Sequence, residues 1–268
     1  MNMSCVNPFA LRAKMNWTGK FLLLFTLGLL LAAPSENSYA DDMVVNAEDS
    51  LEWNQKEAFY HAMGNAEALQ SKQEIRAESL KAFYDPRTVD RKITRIIADG
   101  NVSFADENHK GSAKKLDYDA TNLTYLLNGP GAVISGPDGL GKAEQTIVFK
   151  RAVQIVELIK NAEIQLKDGR HLSGQEIIIY LDNADNILRI TATGNVTIIQ
   201  ANGSMATANK ADYNRASDSA LLTGNVTVKD GETELAGGRA EVDFATGISK
   251  MLSNKSGGRV SGRFTRLN

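Results

Sequence analysis

The residues with the strongest claim to chemistry lie between positions 136 and 143. Gly136-Pro137-Asp138-Gly139-Leu140-Gly141-Lys142-Ala143 has the spacing of a phosphate-cradling loop as far as its lysine. The hydroxyl that should follow that lysine and hold Mg²⁺ is replaced by Ala143, and Glu144 to Phe149 reads as strand where such a loop must open a helix. A hairpin loop is the reading that remains. His61, His109 and His171 stand far apart without metal-ligand spacing and read as surface or turn histidines. Carboxylates fall as solvated strand faces, as in Asp117-Tyr118-Asp119, and no Gly-x-Ser-x-Gly elbow occurs. No catalytic residue, metal site or cofactor is assigned, and the chain is read as a non-enzyme.

The elements that would have to position any site begin after residue 40. Arg12, Lys14 and Lys20 precede an apolar run from Phe21 to Ala33, Pro34 breaks it, and Ser38-Tyr39-Ala40 supplies small residues before a cut. That order is the order of a secretory signal peptide, with Met1 or Met15 as the start and cleavage expected after Ala40. The run falls short of the roughly 20 residues of a spanning helix, although an uncleaved anchor is the alternative. The single cysteine, Cys5, lies in this leader, so the exported chain has no disulfide or thiol chemistry, which fits a bacterial periplasm. Removing the leader's Arg12, Lys14, Lys20 and Glu36 from 30 basic and 32 acidic residues leaves 27 and 31, a net charge of −4. The signs are interspersed with no basic stripe, which disfavours nucleic-acid binding.

The rest of the chain repeats. Gly64-Asn65-Ala66, Gly100-Asn101-Val102, Gly194-Asn195-Val196 and Gly224-Asn225-Val226 are one phrase, with weaker forms at Pro130-Gly131-Ala132 and Lys160-Asn161-Ala162. A second phrase (small residue, apolar three on, apolar two further) runs through Ala77/Leu80/Ala82, Ala113/Leu116/Tyr118, Ala143/Thr146/Val148, Gly174/Ile177/Ile179, Ala208/Ala211/Tyr213 and Gly237/Ala240/Val242. The two phrases stay 12 or 13 residues apart, so they mark about six copies of a unit of about 30 residues over 41–264. Alternation of apolar and polar residues within each phrase predicts two to three short strands per copy, each with one buried face. A third alternating segment leads into each Gly-Asn phrase, as in Ile93 to Ala98 and Ile187 to Ala192. One helical turn is expected near Asp85. Trp53, Tyr84, Tyr118, Phe149, Tyr180, Tyr213 and Phe244 recur at similar spacing and read as a core ladder, or else as an aromatic-lined ligand slot.

The repeated Gly-Asn-Val-x-apolar phrase, followed by Ala-x-x-apolar-x-Tyr-Asp/Asn behind a signal peptide, resembles the periplasmic lipopolysaccharide-transport proteins of the LptA/OstA type. Ala98 to Phe104 with Ala113 to Asp119, Ala192 to Val196 with Ala208 to Asn214, and the ending Gly257-Gly258-Arg259-Val260 carry the resemblance. It implies an all-β, repetitive antiparallel β-jelly roll, V-shaped and open at both ends, either as one roll or as two tandem units of about 43–150 and 151–264. It also implies a bridge that passes lipopolysaccharide from the inner to the outer membrane. The partners it implies are the lipid A acyl chains, an LptC-like inner-membrane protein, an LptD-like outer-membrane protein and other copies of the chain, the protein partners by edge-strand pairing. The residues then expected to line the lipid groove are Val102, Phe104, Leu116, Tyr118, Ile164, Leu166, Ile177, Ile179, Val196, Ile198, Tyr213, Val226 and Val228, with small residues such as Ala77 and Gly174 keeping the slot wide. A membrane-anchored LptC-like component and a structural β-solenoid with a filled core are the rival readings.

Overall fold

Two consecutive residues in the left-handed backbone region are tolerable to almost nothing but Gly and Asn, and these pairs set the architecture. The computed structural model describes residues 43–253 and 259–264. The expected leader, Cys5 and the Gly257-Gly258 part of the C-terminal phrase lie outside the described residues. Gly64/Asn65, Gly100/Asn101, Gly194/Asn195 and Gly224/Asn225 all have positive φ, as do Gly131 and the Lys160/Asn161 pair. Each such pair sits inside a strand and opposes a single residue on a neighbour, as Gly194 and Asn195 do between the pairs Thr193↔Lys210 and Val196↔Ala208. This is a bulge that bends the strand without ending it.

The described residues therefore form long bent strands, all antiparallel, in a single eighteen-stranded sheet. β1 (Val44–Asn46) and β2 (Ser50–Asn54) both pair with β3 (Phe59–Gln70). β3 is followed by β4 (Gln73–Tyr84), β5 (Ile93–Ala105) and β6 (Lys110–Asp119), each pairing with the next. In the middle the long strands are split at their corners. β7 (Thr124–Asn128) and β8 (Ala132–Gly136) lie side by side on β6, and β9 (Gly139–Ala143) and β10 (Thr146–Lys150) lie between them and β11 (Ile155–Leu166). The meander continues through β12 (His171–Leu181), β13 (Ile187–Ile199), β14 (Met205–Asn214), β15 (Ser219–Asp230) and β16 (Thr233–Asp243) to β17 (Ser249–Leu252) and β18 (Ser261–Arg263). Residues 136–139 are the β8–β9 hairpin expected from the failed phosphate-loop motif.

The predicted two to three short strands per repeat are thus two long ones, because the third alternating segment and the Gly-Asn phrase share a strand. β5 contains both Ile93 to Ala98 and Val102 to Ala105. The residues beside Asp85 form a turn, not a helix: Asp85 accepts hydrogen bonds from the Arg87 backbone and guanidinium. The one helical element among the described residues is a 3₁₀ turn, Arg151–Val153.

The corners divide the sheet into two half-sheets that face each other across an apolar interior. Ala62, Leu80, Ala98, Leu116, Leu127, Ile147, Leu158, Ile177, Ala192, Leu222 and Ala240 face inward from one half. Ala66, Val102, Ala132, Ala162, Val196 and Val226 do so from the other. At Gly174 the missing side chain has a job at the corner: a Cβ there would stand 3.1 Å from the Thr193 carbonyl, so it admits the close backbone approach. The aromatic row is a ladder only in part. Tyr84, Tyr118 and Phe149 are buried and Tyr213 and Phe244 partly so, but Tyr180 turns to the outer face under Arg189, and Trp53 is 45% exposed.

Candidate functional site

Turns at the free margins of the two half-sheets make two rims, and the candidate site is the interior they enclose. One rim carries the turns around 106–109, 136–139 and 167–170, the other those around 120–123, 151–154, 182–186 and 215–218. Asp106 on the first rim pairs with Arg151 on the second. Asn108 Nδ2 donates to Asp185 Oδ2 at 2.8 Å, and Gln154 Nε2 donates to Asp185 Oδ1 at 3.1 Å. Asp138 accepts the Ile187 backbone N–H at 2.6 Å and pairs with Arg215. Arg170 reaches Asp218 at 2.7 Å while also holding Asp168 at 2.6 Å. Along this middle stretch the rims are clasped together by side chains, not by a backbone ladder.

Two of these clasps are buried enough to shift their groups. Burial raises the Asp106 pKa, but hydrogen bonds from His109 and from the Asn108 and His109 backbone outweigh it, so the carboxyl is held well below its usual range. Burial likewise opposes the Arg170 charge and is outweighed by hydrogen bonds to Asp168, Asp218 and Tyr213, which raise its pKa. Arg170 also lies over the rings of Tyr213 and Phe244, 5.1 and 5.0 Å from their centroids, and with them caps one end of the interior.

Under that cap lies an apolar hollow of about 30 Å³. Ile164, Leu166, Ile198 and Tyr213, all expected in the lipid groove, line it. Phe104 and Tyr118 are elsewhere, in a ring stack with Tyr125 and Phe149 (centroids 5.2 Å from Phe104 to Tyr125, 4.3 Å from Tyr118 to Tyr125, 5.8 Å from Tyr125 to Phe149) that fills the waist. Burial raises the pKa of both Tyr118 and Tyr125. Val102, Leu116, Ile177, Ile179, Val196 and Val226 are buried between the half-sheets, and Val228 is partly buried. All thirteen residues therefore face or border one interior, divided by the aromatic waist.

His109 meets the expectation of a surface or turn histidine only in part. It is a turn residue, but it is 3% exposed, packed 4.9 Å from Phe149, with Nδ1 3.3 Å from Asp106 Oδ1 and with Nε2 unpartnered. Asp106 is the available signal: its carboxylate accepts the N–H groups of Asn108 and His109, an Asx turn that folds the histidine inward. Among the described residues no group of three or more His, Cys, Asp or Glu could hold a metal ion. None of their helices is long and apolar enough to cross a membrane.

Residues 45–140 match the family described as LptA/(LptD N-terminal domain) LPS transport protein, so the LptA/OstA-type resemblance holds over this stretch, about a third of the chain. Among solved structures, LptH from Pseudomonas aeruginosa, described as the LptA-homologous periplasmic component of the conserved lipopolysaccharide transport device, aligns at 15% identity and a TM-score of 0.27. The alignment covers 59% of this chain and 94% of that one. No curated protein matches by sequence.

Proposed function

We propose that the whole of 41–264 is one LptA/OstA-type roll that carries lipopolysaccharide, binding its acyl chains between the half-sheets and performing no chemistry. The observation that carries the proposal is the apolar interior, which continues with the same corners from the matched segment 45–140 through to β16. Strand pairing runs without a break across position 150, through β9–β11 and β10–β11, which favours one roll over two tandem units. An interior lined from both sides by Val, Ile, Leu and Ala offers acyl chains what water does not.

In this reading the chain is exported to the periplasm, the leader is removed after Ala40, and the roll is V-shaped and open at its ends. The terminal strands support that part. β1 and β2 pair only with β3, and β17 and β18 only with β16, among the described residues. They carry exposed Val44, Leu51 and Trp53 at one end, with Ile248, Val260 and Phe264 exposed at or beside the other. Unpaired edges of this kind template strand addition, here head to tail with further copies and with LptC-like and LptD-like partners of a membrane-to-membrane bridge.

The filled waist favours a second reading, a structural scaffold with a dry core. A photo-reactive residue in place of Ile198, which lines the hollow, should capture lipopolysaccharide, and one in place of its exposed neighbour Ile199 should not. Capture at neither position, or equally at both, refutes the carrier and leaves the scaffold. Intact mass of the exported protein tests the anchored, LptC-like alternative.

A further inference from the structure

His109 is a buried titratable group to which the carrier reading gives no task, and its surroundings span both rims. Its ring packs on Phe149, and its Nδ1 lies 3.3 Å from Asp106 Oδ1. The Asp106 carboxylate accepts the backbone N–H groups of Asn108 and His109 and pairs with Arg151. An ionised carboxylate can only accept, so Nδ1 carries the ring hydrogen and Nε2 of the neutral imidazole is a bare acceptor. That Nε2 has no hydrogen-bond partner and is sealed from solvent. What it faces is a carboxylate oxygen of the opposite rim, Asp185 Oδ1, 3.9 Å away. Two acceptors meet there, and nothing donates between them.

The charges around the ring are one cation short. Its own turn presents Asp106, and the 3₁₀ turn presents Arg151, which is bonded to Asp106. The β8–β9 hairpin presents Asp138, which borders a void of about 50 Å³ together with His109 and Asp185 and is paired with Arg215. The turn after β12 presents Asp185, 5% exposed, whose side-chain donors are the neutral amides of Asn108 and Gln154. Tyr125 stacks behind Phe149, and burial raises its pKa, so it brings no charge. Glu107 and Lys110, the other charged groups of the turn, are exposed, and Glu107 is held by Lys72 at 2.7 Å. Three carboxylates therefore face two guanidinium groups. A buried carboxylate without a counter-charge is costly, and the group placed to supply one to Asp185 is the imidazole.

From this we infer that His109 and Asp185 form a proton-operated clasp between the rims. A proton taken up at Nε2 turns the bare acceptor into an N–H donor aimed at Asp185 Oδ1. A closure of about 1 Å, for which the adjoining void leaves room, then makes a charge-assisted hydrogen bond. With the proton released, Asp185 keeps only its amide donors and the clasp is slack. Imidazole is the side chain that ordinarily changes charge between about pH 5 and 8, so the rims are held more firmly in mild acid than in mild alkali. The inference is independent of what the interior carries.

The test is a double-mutant cycle on the full exported chain, with His109→Gln, Asp185→Asn and the two combined. Each is unfolded in urea at about pH 5.5 and about pH 8.5, on either side of the imidazole range. Asparagine tolerates the left-handed backbone of Asp185 (φ +64°), so the turn survives the substitution. The coupling between the two positions should favour folding about fivefold or more at the lower pH and less than about twofold at the higher. Ring ¹⁵N shifts of His109 in the parent give a second reading that needs no variant. Nδ1 should be protonated at both pH values and Nε2 only at the lower. Coupling below about twofold at the lower pH overturns the clasp. Coupling of equal size at both assigns the pair to a neutral bridge and overturns its proton dependence. An Nε2 that stays bare at the lower pH overturns the inference outright.

Discussion

Replacing Gly194 by alanine tests whether the corners, and not the strand propensities around them, hold this architecture. Gly194 and Asn195 have φ of +75° and +51°. A left-handed conformation disfavours a residue with a Cβ by about 1–2 kcal/mol. The new Cβ would also lie 2.8 Å from both Cβ and Cγ of Gln175, and Cβ cannot swing away without moving its backbone. Relief of such overpacking costs about 1–3 kcal/mol. Against these, the stiffer unfolded chain returns about 0.4–1 kcal/mol. The balance is a loss of about 3 kcal/mol, which in a domain of this size lowers the melting temperature by about 6–12 °C. Urea denaturation of the exported chain should show a lower midpoint at an unchanged slope. Lys160 provides the internal comparison, since it holds the same position at φ +68° with an exposed ion pair to Glu144 at 2.9 Å. Lys160→Gly relieves about 1–2 kcal/mol of strain, loosens the unfolded chain by about 0.4–1 kcal/mol and forfeits an exposed pair contributing about 0–1 kcal/mol, so it should be close to neutral. A Gly194→Ala unfolding free energy within about 0.5 kcal/mol of the parent refutes the strained-corner argument, because the smallest values of the two penalties less the largest return still leave about 1 kcal/mol.

Two further outcomes follow from the interior and the clasps. Leu222 is fully buried, so Leu222→Ala should destabilise by about 3 kcal/mol in the same urea assay, and a loss under about 1 kcal/mol would mean that the interior there is not packed. The Asp106 carboxyl has a folded-state pKa below its unfolded value, so its contribution is complete above about pH 4 and drains away as the pH falls further. Thermal melts should be level from about pH 7 to 5 and decline below about pH 4, and Asp106→Asn should start lower and decline less. An equal acid slope in parent and variant removes Asp106 from the account.

The repeat was legible in the sequence because the corner is a backbone requirement that few residue types meet. Gly-Asn at 64, 100, 194 and 224, and even the disguised Lys160-Asn161, fall where φ is positive. Strand count was not legible, since a bulge bends a strand without any change in alternation, and β5 reads the same on both sides of Gly100. Ala47-Glu48 repeats the Ala-Glu pair of Ala77-Glu78 and Ala143-Glu144 and was within reach as a further corner signal, since its Glu48 accepts the Asn65 side chain at 2.7 Å as Glu78 accepts that of Asn101. The clasps were beyond reach. Asp106 and Arg151 are 45 residues apart and Asn108 and Asp185 are 77 apart, and each of these residues reads locally as ordinary turn chemistry. The burial of His109 was half legible: the Asx turn with Asp106 is local, but the Phe149 ring it packs against is remote in sequence.

The same distinction bears on how a filled interior can serve a carrier. Parting the half-sheets along their corners would break no backbone ladder, because every ladder runs within a half-sheet or bends through the corner. Beside the packed interior, what holds the rims is the set of side-chain clasps at Asp106, Asp185, Asp138 and Asp218. At about 1–3 kcal/mol for each charged hydrogen-bonded contact, releasing four costs roughly 4–12 kcal/mol. Transfer of acyl chain from water contributes about 0.8 kcal/mol for each methylene buried, so one chain of about twelve methylenes supplies roughly 10 kcal/mol. The two quantities are of the same size. On the carrier reading, clasps of this strength would keep the interior closed to water when empty and would yield to a multiply acylated lipid, whereas a rim joined by backbone ladder would stay closed to both.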